Sequence, residues 1–174
     1  MEAVNRIRAA NIDFILAVGG GSVVDAAKFI AAAAVYCGEP WDILTGKAAL
    51  PLRQALPLGC VITLPATGSE MNCGAVISRA ATQEKFHFID PAVYPRFSII
   101  DPQFTYTLPE TQTVNGIVDS FVHVMEQYIT YDVNTPLQDR MAEAIIKTLV
   151  ELGPHVLENP SDYDTRASLF WCST

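Results

Sequence analysis

No run of lysine or arginine interrupts this 174-residue sequence, and acidic residues outnumber basic ones by 19 to 11, for a net charge of −8. Phosphate backbones are bound through a basic face, so a nucleic acid is not an expected partner. The four cysteines, Cys37, Cys60, Cys73 and Cys172, form no CxxC pair, and three sit in apolar contexts. The expectation is therefore free, buried thiols in a reducing cytosol. The longest apolar stretch, AAKFIAAAAVY, is too short and too rich in alanine to span a bilayer, so no membrane partner is expected. The first residues, MEAVNRIRAANIDF, are amphipathic and charged, unlike a secretory signal. Polar low-complexity tracts are also missing. Half of the residues are hydrophobic and 17% are charged, the balance of a folded chain with a core. These features together predict a soluble, cytoplasmic protein.

What is present reads as two textures. Residues 1–10 read as the tail of a helix capped by Asn11, and FILAV (14–18) as a strand buried on both faces, as parallel strands are. Ser22 is the expected N-cap of the helix VVDAAKFIAAAAVY, with Asp25 at its third position, and Gly38 followed by Pro40 should close it. A loop with one helical turn is expected over 39–55. LGCVITL (58–64) reads as a second apolar strand, GAVISRA (74–80) and KFHFI (85–89) as an antiparallel pair, and RFSIID (96–101) as another buried strand. From Pro109 the pattern changes to long helices: one over PETQTVNGIVDSFVHVMEQYIT, one restarting at Thr135-Pro136, and a third behind Ser161. The fold class is thus α/β to about residue 107 and all-α beyond it. The third helix is apolar at Leu169, Phe170 and Trp171, and a lone terminal helix of that kind calls for a partner to pack on.

Two loops carry the chemistry of the first part. In AVGGGSVVDAAKF (17–29) a glycine cluster and a serine stand between a strand and a helix. Glycines let an anion approach main-chain N–H groups, and a helix N-terminus adds a favourable partial charge. The spacing is neither GxGxxG nor GxxxxGK[ST], so a phosphate site and a tight turn both remain open on pattern alone. The second loop, TLPATGSEMN, also follows a buried strand and offers the hydroxyls of Thr63, Thr67 and Ser69 at a strand's carboxyl end, where α/β proteins bind ligands. Two such loops on one parallel sheet point to a nucleotide cofactor.

In the first long helix Asp119 and His123 stand four residues apart and share one face. At 100° per residue, Val114, Ile117, Val118, Phe121, Met125 and Ile129 form the apolar arc, and the pair falls outside it. Such a pair is either a surface contact steadying the helix or two metal ligands, a hard oxygen and an imidazole. A catalytic metal needs at least one more protein ligand, and neither His87 nor His155 has a partner at ligand spacing. A helical-bundle metal carrier built on Asp119, His123 and Glu126 would need Glu-x-x-His motifs on paired helices, and the residues after 135 supply none.

GGGSVVD, TLPATGSE and NGIVDSFVHVMEQYIT, with SRAATQEK and IDPQFTYTLP in order between them, resemble the iron-containing (group III) alcohol dehydrogenases. The similarity is greatest to their NADPH-dependent butanol dehydrogenase and broad aldehyde reductase branch, and it covers the whole chain. The resemblance implies a Rossmann-like dinucleotide-binding domain over 1–107. Residues 108–174 would be the first helices of an all-helical metal-binding domain, in an architecture like that of dehydroquinate synthase with the active site between the domains. By the same resemblance Gly20, Gly21 and Ser22 would hold the cofactor pyrophosphate, and Asp25 would lie beside the nicotinamide ribose. Thr63, Thr67 and Ser69 would line the cofactor cleft with Asn72 nearby, Lys85 would reach the nicotinamide ribose side, and Tyr106, Thr107 and Leu108 would flank the adenosine half. Asp119 and His123 would be the first two of four metal ligands.

The implied activity is hydride transfer between NAD(P)(H), with NADP(H) favoured over NAD(H), and a small alcohol or aldehyde, assisted by iron or zinc, in a homodimer. Against the family pattern, the first strands with a further glycine-rich loop should precede residue 1, and two histidine ligands should follow residue 174. The chain therefore reads as an internal fragment of a longer member, incomplete at both ends. The alternative is a catalytically inactive truncated remnant with residual nucleotide binding.

Overall fold

A computed structural model describes the chain from Met1 to Thr174 except for Arg53 and Asp132. Arg53, inside the loop expected over 39–55, lies outside the described residues. The chain forms two compact units, one of residues 1–62 and 69–99, the other of 63–68 and 100–174.

The first unit starts with α1 (Glu2–Ala10), which ends on Asn11 in the left-handed region (φ 51°) with its N–H on the Ile7 carbonyl. β1 (Ile15–Gly19) and β2 (Leu58–Ile62) run parallel, Ile15 opposite Leu58 and Gly19 opposite Ile62. They form a sheet in the order β1-β2-β5 with the short β5 (Ser98–Ile100). Ahead of β5 the contact with β2 continues irregularly, the Arg96 N–H donating to the Leu58 carbonyl at 2.7 Å and the Cys60 N–H to the Phe97 carbonyl at 3.0 Å, so the regular strand is shorter than its apolar run. β3 (Gly74–Arg79) and β4 (Glu84–Ile89) form the expected antiparallel hairpin, Gly74 opposite Ile89 and Arg79 opposite Glu84.

α2 (Gly21–Val35) packs on β1, β2 and β3 through Val24, Ala27, Ala31 and Ala32, over Leu58, Cys60 and Ile62. Its alanines remove side-chain bulk from the contact, so helix and sheet can come close. β2 is buried as predicted. β1 is buried on one face only: Ala17 lies inward, while Leu16 and Val18 on the other face are 53% and 56% exposed.

Both predicted ends of α2 are corrected. The N-cap is Gly20, not Ser22: Gly20 is extended (φ −85°, ψ −173°) and its carbonyl already accepts from Val23 and Val24, which places Ser22 inside the first turn. At the other end the helix stops at Val35, and Tyr36 is extended. Arg8 of α1, not Gly38, satisfies the terminal carbonyls, with bonds to Ala33 (2.8 Å), Ala34 (3.0 Å) and Tyr36 (2.7 Å). Pro40 instead opens a 3₁₀ turn, Pro40–Ile43.

The second unit contains α3 (Glu110–Tyr128), α4 (Pro136–Glu158) and α5 (Tyr163–Ser173). Leu149, Val156 and Leu169 form its core, with Ile117, Phe121 and Ile145 packed around them. α5 begins behind Asp162, one residue later than predicted. The predicted apolar arc of α3 is displaced: its most buried positions are Thr113, Gly116 and Ser120, whereas Val118 and Ile129 are exposed. Small residues set the burial here because α3 runs almost against the main chain at Pro65, whose carbonyl would lie 2.5 Å from a Cβ at Gly116. Ser120 fastens that approach by donating to the Ala66 carbonyl at 3.0 Å.

All four cysteines are free, but only Cys60 is buried; Cys37 is exposed and Cys73 and Cys172 are half-buried. Among the described residues no helix is long and apolar enough to cross a membrane.

Candidate functional site

The glycine loop of the first unit ends in the first turn of α2. Because the Gly20 carbonyl takes the N–H groups of Val23 and Val24, those of Gly21 and Ser22 are the outermost donors, with no acceptor inside the helix. Gly19 packs so tightly against Val23 that a Cβ there would lie 2.6 Å from a Val23 methyl. The loop therefore presents main chain and little side chain, the arrangement an anion needs to reach N–H groups at a positive helix end.

One turn further on, α2 meets the loop after β2. Both oxygens of Asp25 are engaged: Oδ1 accepts from the Ser69 hydroxyl (2.6 Å) and Oδ2 from the Val76 N–H (2.8 Å). Ser69 is only 4% exposed. Its hydroxyl also accepts from Nζ of Lys28 at 2.9 Å. Lys28 Nζ further donates to the carbonyls of Ser69 (2.6 Å) and Gly74 (2.8 Å) and to Asn72 Oδ1 (2.9 Å). The Asn72 oxygen accepts from the Gly74 N–H as well. Asp25, Ser69 and Asn72, which the sequence proposed from separate loops, thus converge on one buried lysine that it did not propose. Burial pulls the Lys28 pKa down, and Asp25 opposes that shift. The signal for Lys28 was its place in an otherwise apolar helix face, three residues after Asp25 in VVDAAKF. Lys85 is exposed on β4, opposite Ser78.

In the second unit Thr63 is half-buried and Thr67 exposed. Tyr106 caps the 3₁₀ turn Pro102–Thr105, Thr107 is exposed, and Leu108 donates its N–H to the Thr105 carbonyl at 3.1 Å. Leu108 also lines a small cavity of about 10 Å³ with Pro65, Thr113 and Arg166. Arg166, likewise not proposed from sequence, is 3% exposed. It donates from Nε to the Pro160 carbonyl (2.9 Å) and from Nη1 to the Thr113 hydroxyl (3.2 Å). Burial lowers its pKa, opposed by Tyr106.

Asp119 and His123 face each other along α3, Oδ2 to Nε2 at 3.7 Å, each about half exposed. His123 and Thr67 line one wide, open cavity of about 780 Å³ together with Gly68, Tyr128, Tyr131 and Cys172. A carboxylate and an imidazole one turn apart fit iron or zinc in donor chemistry. They supply two protein ligands, and among the described residues no group of three His, Cys, Asp or Glu is placed to hold a metal. His87 is exposed on β4, and His155 pairs with Asp162 at 3.3 Å.

The family model described as iron-containing alcohol dehydrogenase matches residues 1–102, and that of the family's C-terminal part matches residues 113–174. The chain is 52% identical over 178 residues to the NADPH-dependent aldehyde reductase YqhD of Escherichia coli, covering 100% of this chain and 45% of that protein. It is 48% identical to a probable NADH-dependent butanol dehydrogenase of Bacillus subtilis, covering 94% of this chain and 42% of the relative. Among solved structures, Escherichia coli YqhD superposes with a TM-score of 0.96 at 51% identity, covering 100% of this chain and 45% of that one. Butanol dehydrogenase A of Thermotoga maritima gives 0.94 at 42% identity, covering 99% and 43%. The chain spans less than half the length of these relatives. With the two family models matching residues 1–102 and 113–174, and a relative 52% identical over the whole chain, the chain belongs to the iron-containing alcohol dehydrogenase family.

Proposed function

We propose that this chain is part of a metal-dependent oxidoreductase that transfers a hydride between NAD(P)(H) and a small alcohol or aldehyde. The observation that carries the reading is the N-terminus of α2, where Gly21 and Ser22 offer main-chain N–H groups without intrahelical acceptors. Residues 1–107 act as the nucleotide-binding domain and residues 108–174 as the first helices of the metal-binding domain. Gly20, Gly21 and Ser22 bind the pyrophosphate, and Asp25, Ser69 and Asn72 shape the loop beside it. Lys85 serves the nicotinamide ribose, Thr63 and Thr67 line the cofactor's path, and Tyr106, Thr107 and Leu108 flank its adenosine half. NADP(H) is favoured over NAD(H) because the relative at 52% identity is named NADPH-dependent, although the one at 48% is named NADH-dependent.

Asp119 and His123 contribute two ligands to a divalent metal, iron or zinc. When bound, such an ion supplies Lewis acidity at the substrate oxygen. The carboxylate brings negative charge to the ion and the imidazole a neutral donor, so His123 must be deprotonated to serve. The intact enzyme works in the cytoplasm as a homodimer. A second reading is an inactive remnant that keeps nucleotide binding. Intact mass fixes the length of the natural polypeptide that carries this chain, and titration of that polypeptide with NADPH and NADH, followed by an assay of NADPH oxidation with a short aldehyde in the presence of iron or zinc, separates them. Turnover supports the enzyme, binding without turnover the remnant, and no nucleotide binding refutes both.

A further inference from the structure

Lys28 is fully buried, yet its Nζ meets four oxygens at 2.6–2.9 Å. All four belong to uncharged groups. An ammonium has three N–H donors, whereas a neutral amine has two and a lone pair that would face an oxygen. The surroundings therefore select the charged form, and a buried charge requires a counter-charge. The carboxylates near Lys28 that can supply one are Asp25 and Glu70, with Asp25 the stronger; burial pushes the Cys60 thiol up and keeps it neutral. Asp25 is reached through a single hydroxyl: Ser69 Oγ accepts from Lys28 and donates to Asp25.

Asp25 is also badly placed for phosphate binding if left bare. It lies four residues beyond Gly21, about 6 Å along the helix axis. Side chains on a helix lean toward its N-terminus, so the carboxylate sits closer to the first-turn donors than its Cα does. That separation is within the Debye length of about 8 Å at physiological salt, so solvent ions do not hide the charge. A carboxylate there opposes an anion held on the Gly21 and Ser22 N–H groups.

We propose that Lys28 is a positioning residue for the nucleotide: its buried ammonium neutralises Asp25 through Ser69 and ties the 69–74 loop to α2, so that the helix N-terminus receives a pyrophosphate without an opposing charge. This rests on the nucleotide-binding reading above. Asp25, Ser69 and Asn72 then act through the shape and charge of the loop, and the nucleotide is held by main chain.

The test is calorimetric titration of the full chain with NADPH, for the parent, Lys28→Met, Asp25→Asn and the double variant, with near-UV circular dichroism as the check of folding. Lys28→Met should weaken binding on the order of 10- to 100-fold, from one uncompensated charge about 6–8 Å away at an effective dielectric of about 20. Adding Asp25→Asn to Lys28→Met should restore most of that loss, which a merely structural lysine would not allow. Asp25→Asn alone should bind NADPH several-fold more tightly. If Lys28→Met does not fold, Asp25→Asn alone decides: tighter binding supports the role, and tenfold weaker binding overturns it by making Asp25 a direct nucleotide contact. A parent that binds NADPH combined with a double variant no better than Lys28→Met refutes the role of Lys28 and leaves the nucleotide reading intact. A parent that binds no NADPH refutes the reading, and the proposal with it.

Discussion

Two glycines inside helices of the second unit should respond in opposite directions to the same substitution. A Cβ at Gly116 would stand 2.5 Å from the Pro65 carbonyl oxygen and 3.6 Å from a Leu64 methyl. The nearer atom is main chain, and Ser120 pins its neighbour by bonding the Ala66 carbonyl, so relief requires moving α3 or the segment. Overpacking costs about 1–3 kcal/mol, and a clash with main chain rather than with a movable side chain places this one in the upper part, about 2–3 kcal/mol. Replacing a helical glycine by alanine returns about 1 kcal/mol. Gly116→Ala should therefore lose about 1–2 kcal/mol net, lowering Tm by roughly 2–8 °C for a chain of this size. At Gly153 the nearest atom to a new Cβ is an Ile117 methyl at 3.7 Å, an ordinary contact. Gly153→Ala should gain about 0.5–1 kcal/mol and raise Tm by roughly 1–4 °C. Thermal unfolding followed by far-UV circular dichroism measures both. A Gly116→Ala variant as stable as the parent, or more so, refutes the claim that α3 is seated by main-chain contact.

Arg8→Ala removes three bonds to the last carbonyls of α2 and should cost about 1–2 kcal/mol in urea unfolding, since the arginine is largely exposed and the carbonyls can turn to water; an unchanged midpoint would show that water caps the helix equally well. The Thr165 hydroxyl, with His155 nearby, holds the Asp162 carboxyl below its usual 3.8. The unfolded state then binds the proton more readily, so the stabilisation is fully present above about pH 4 and is lost as pH falls through the folded-state pKa. The Tm deficit of Asp162→Asn should accordingly be present at neutral pH and shrink in acid, and a deficit independent of pH counts against this coupling. Zinc should bind the full chain weakly and lose that binding in His123→Ala, because only Asp119 and His123 are assembled among the described residues. Tight, stoichiometric zinc would contradict the two-ligand description.

The strand, glycine cluster and helix at 15–35 were legible because local pattern alone sets them: a short apolar run, residues that free the backbone, and a long alanine-rich helix former. The hairpin at 74–89 was legible for the same reason, through its pairing of two short segments around polar turn residues. The errors fall where one part of the chain is decided by another. Capping chemistry pointed to Ser22, but Gly20 is extended and turns the chain two residues sooner. Hydrophobicity placed the buried face of α3 on Val114, Ile117, Val118, Phe121, Met125 and Ile129; Ile117 and Phe121 do pack on the core, but Val118 and Ile129 are exposed, and closeness to Pro65 puts the small residues Thr113, Gly116 and Ser120 deepest. Lys28 was invisible because its acceptors lie 41 to 46 positions downstream. Any periodicity rule ranks a lysine as outward, and only those distant oxygens make it an inward residue. For the site, Asp119 and His123 were found by their spacing, whereas the convergence of Asp25, Ser69 and Asn72 on one side chain needed coordinates.

The short segment 63–68 belongs with the helices although it is flanked on both sides by residues of the other unit. The chain thus passes from one unit to the other three times, and no single cut separates them cleanly. A protease acting after residue 99 would release a first piece that still carries 63–68 and a second that lacks it. The order of synthesis meets the same constraint. The Pro65 and Ala66 carbonyls leave the ribosome about fifty residues ahead of Gly116 and Ser120, against which they finally rest. Until α3 has been made, that segment waits as an open loop, so the helical unit cannot complete its packing from its own contiguous stretch and must draw back a piece of chain made earlier.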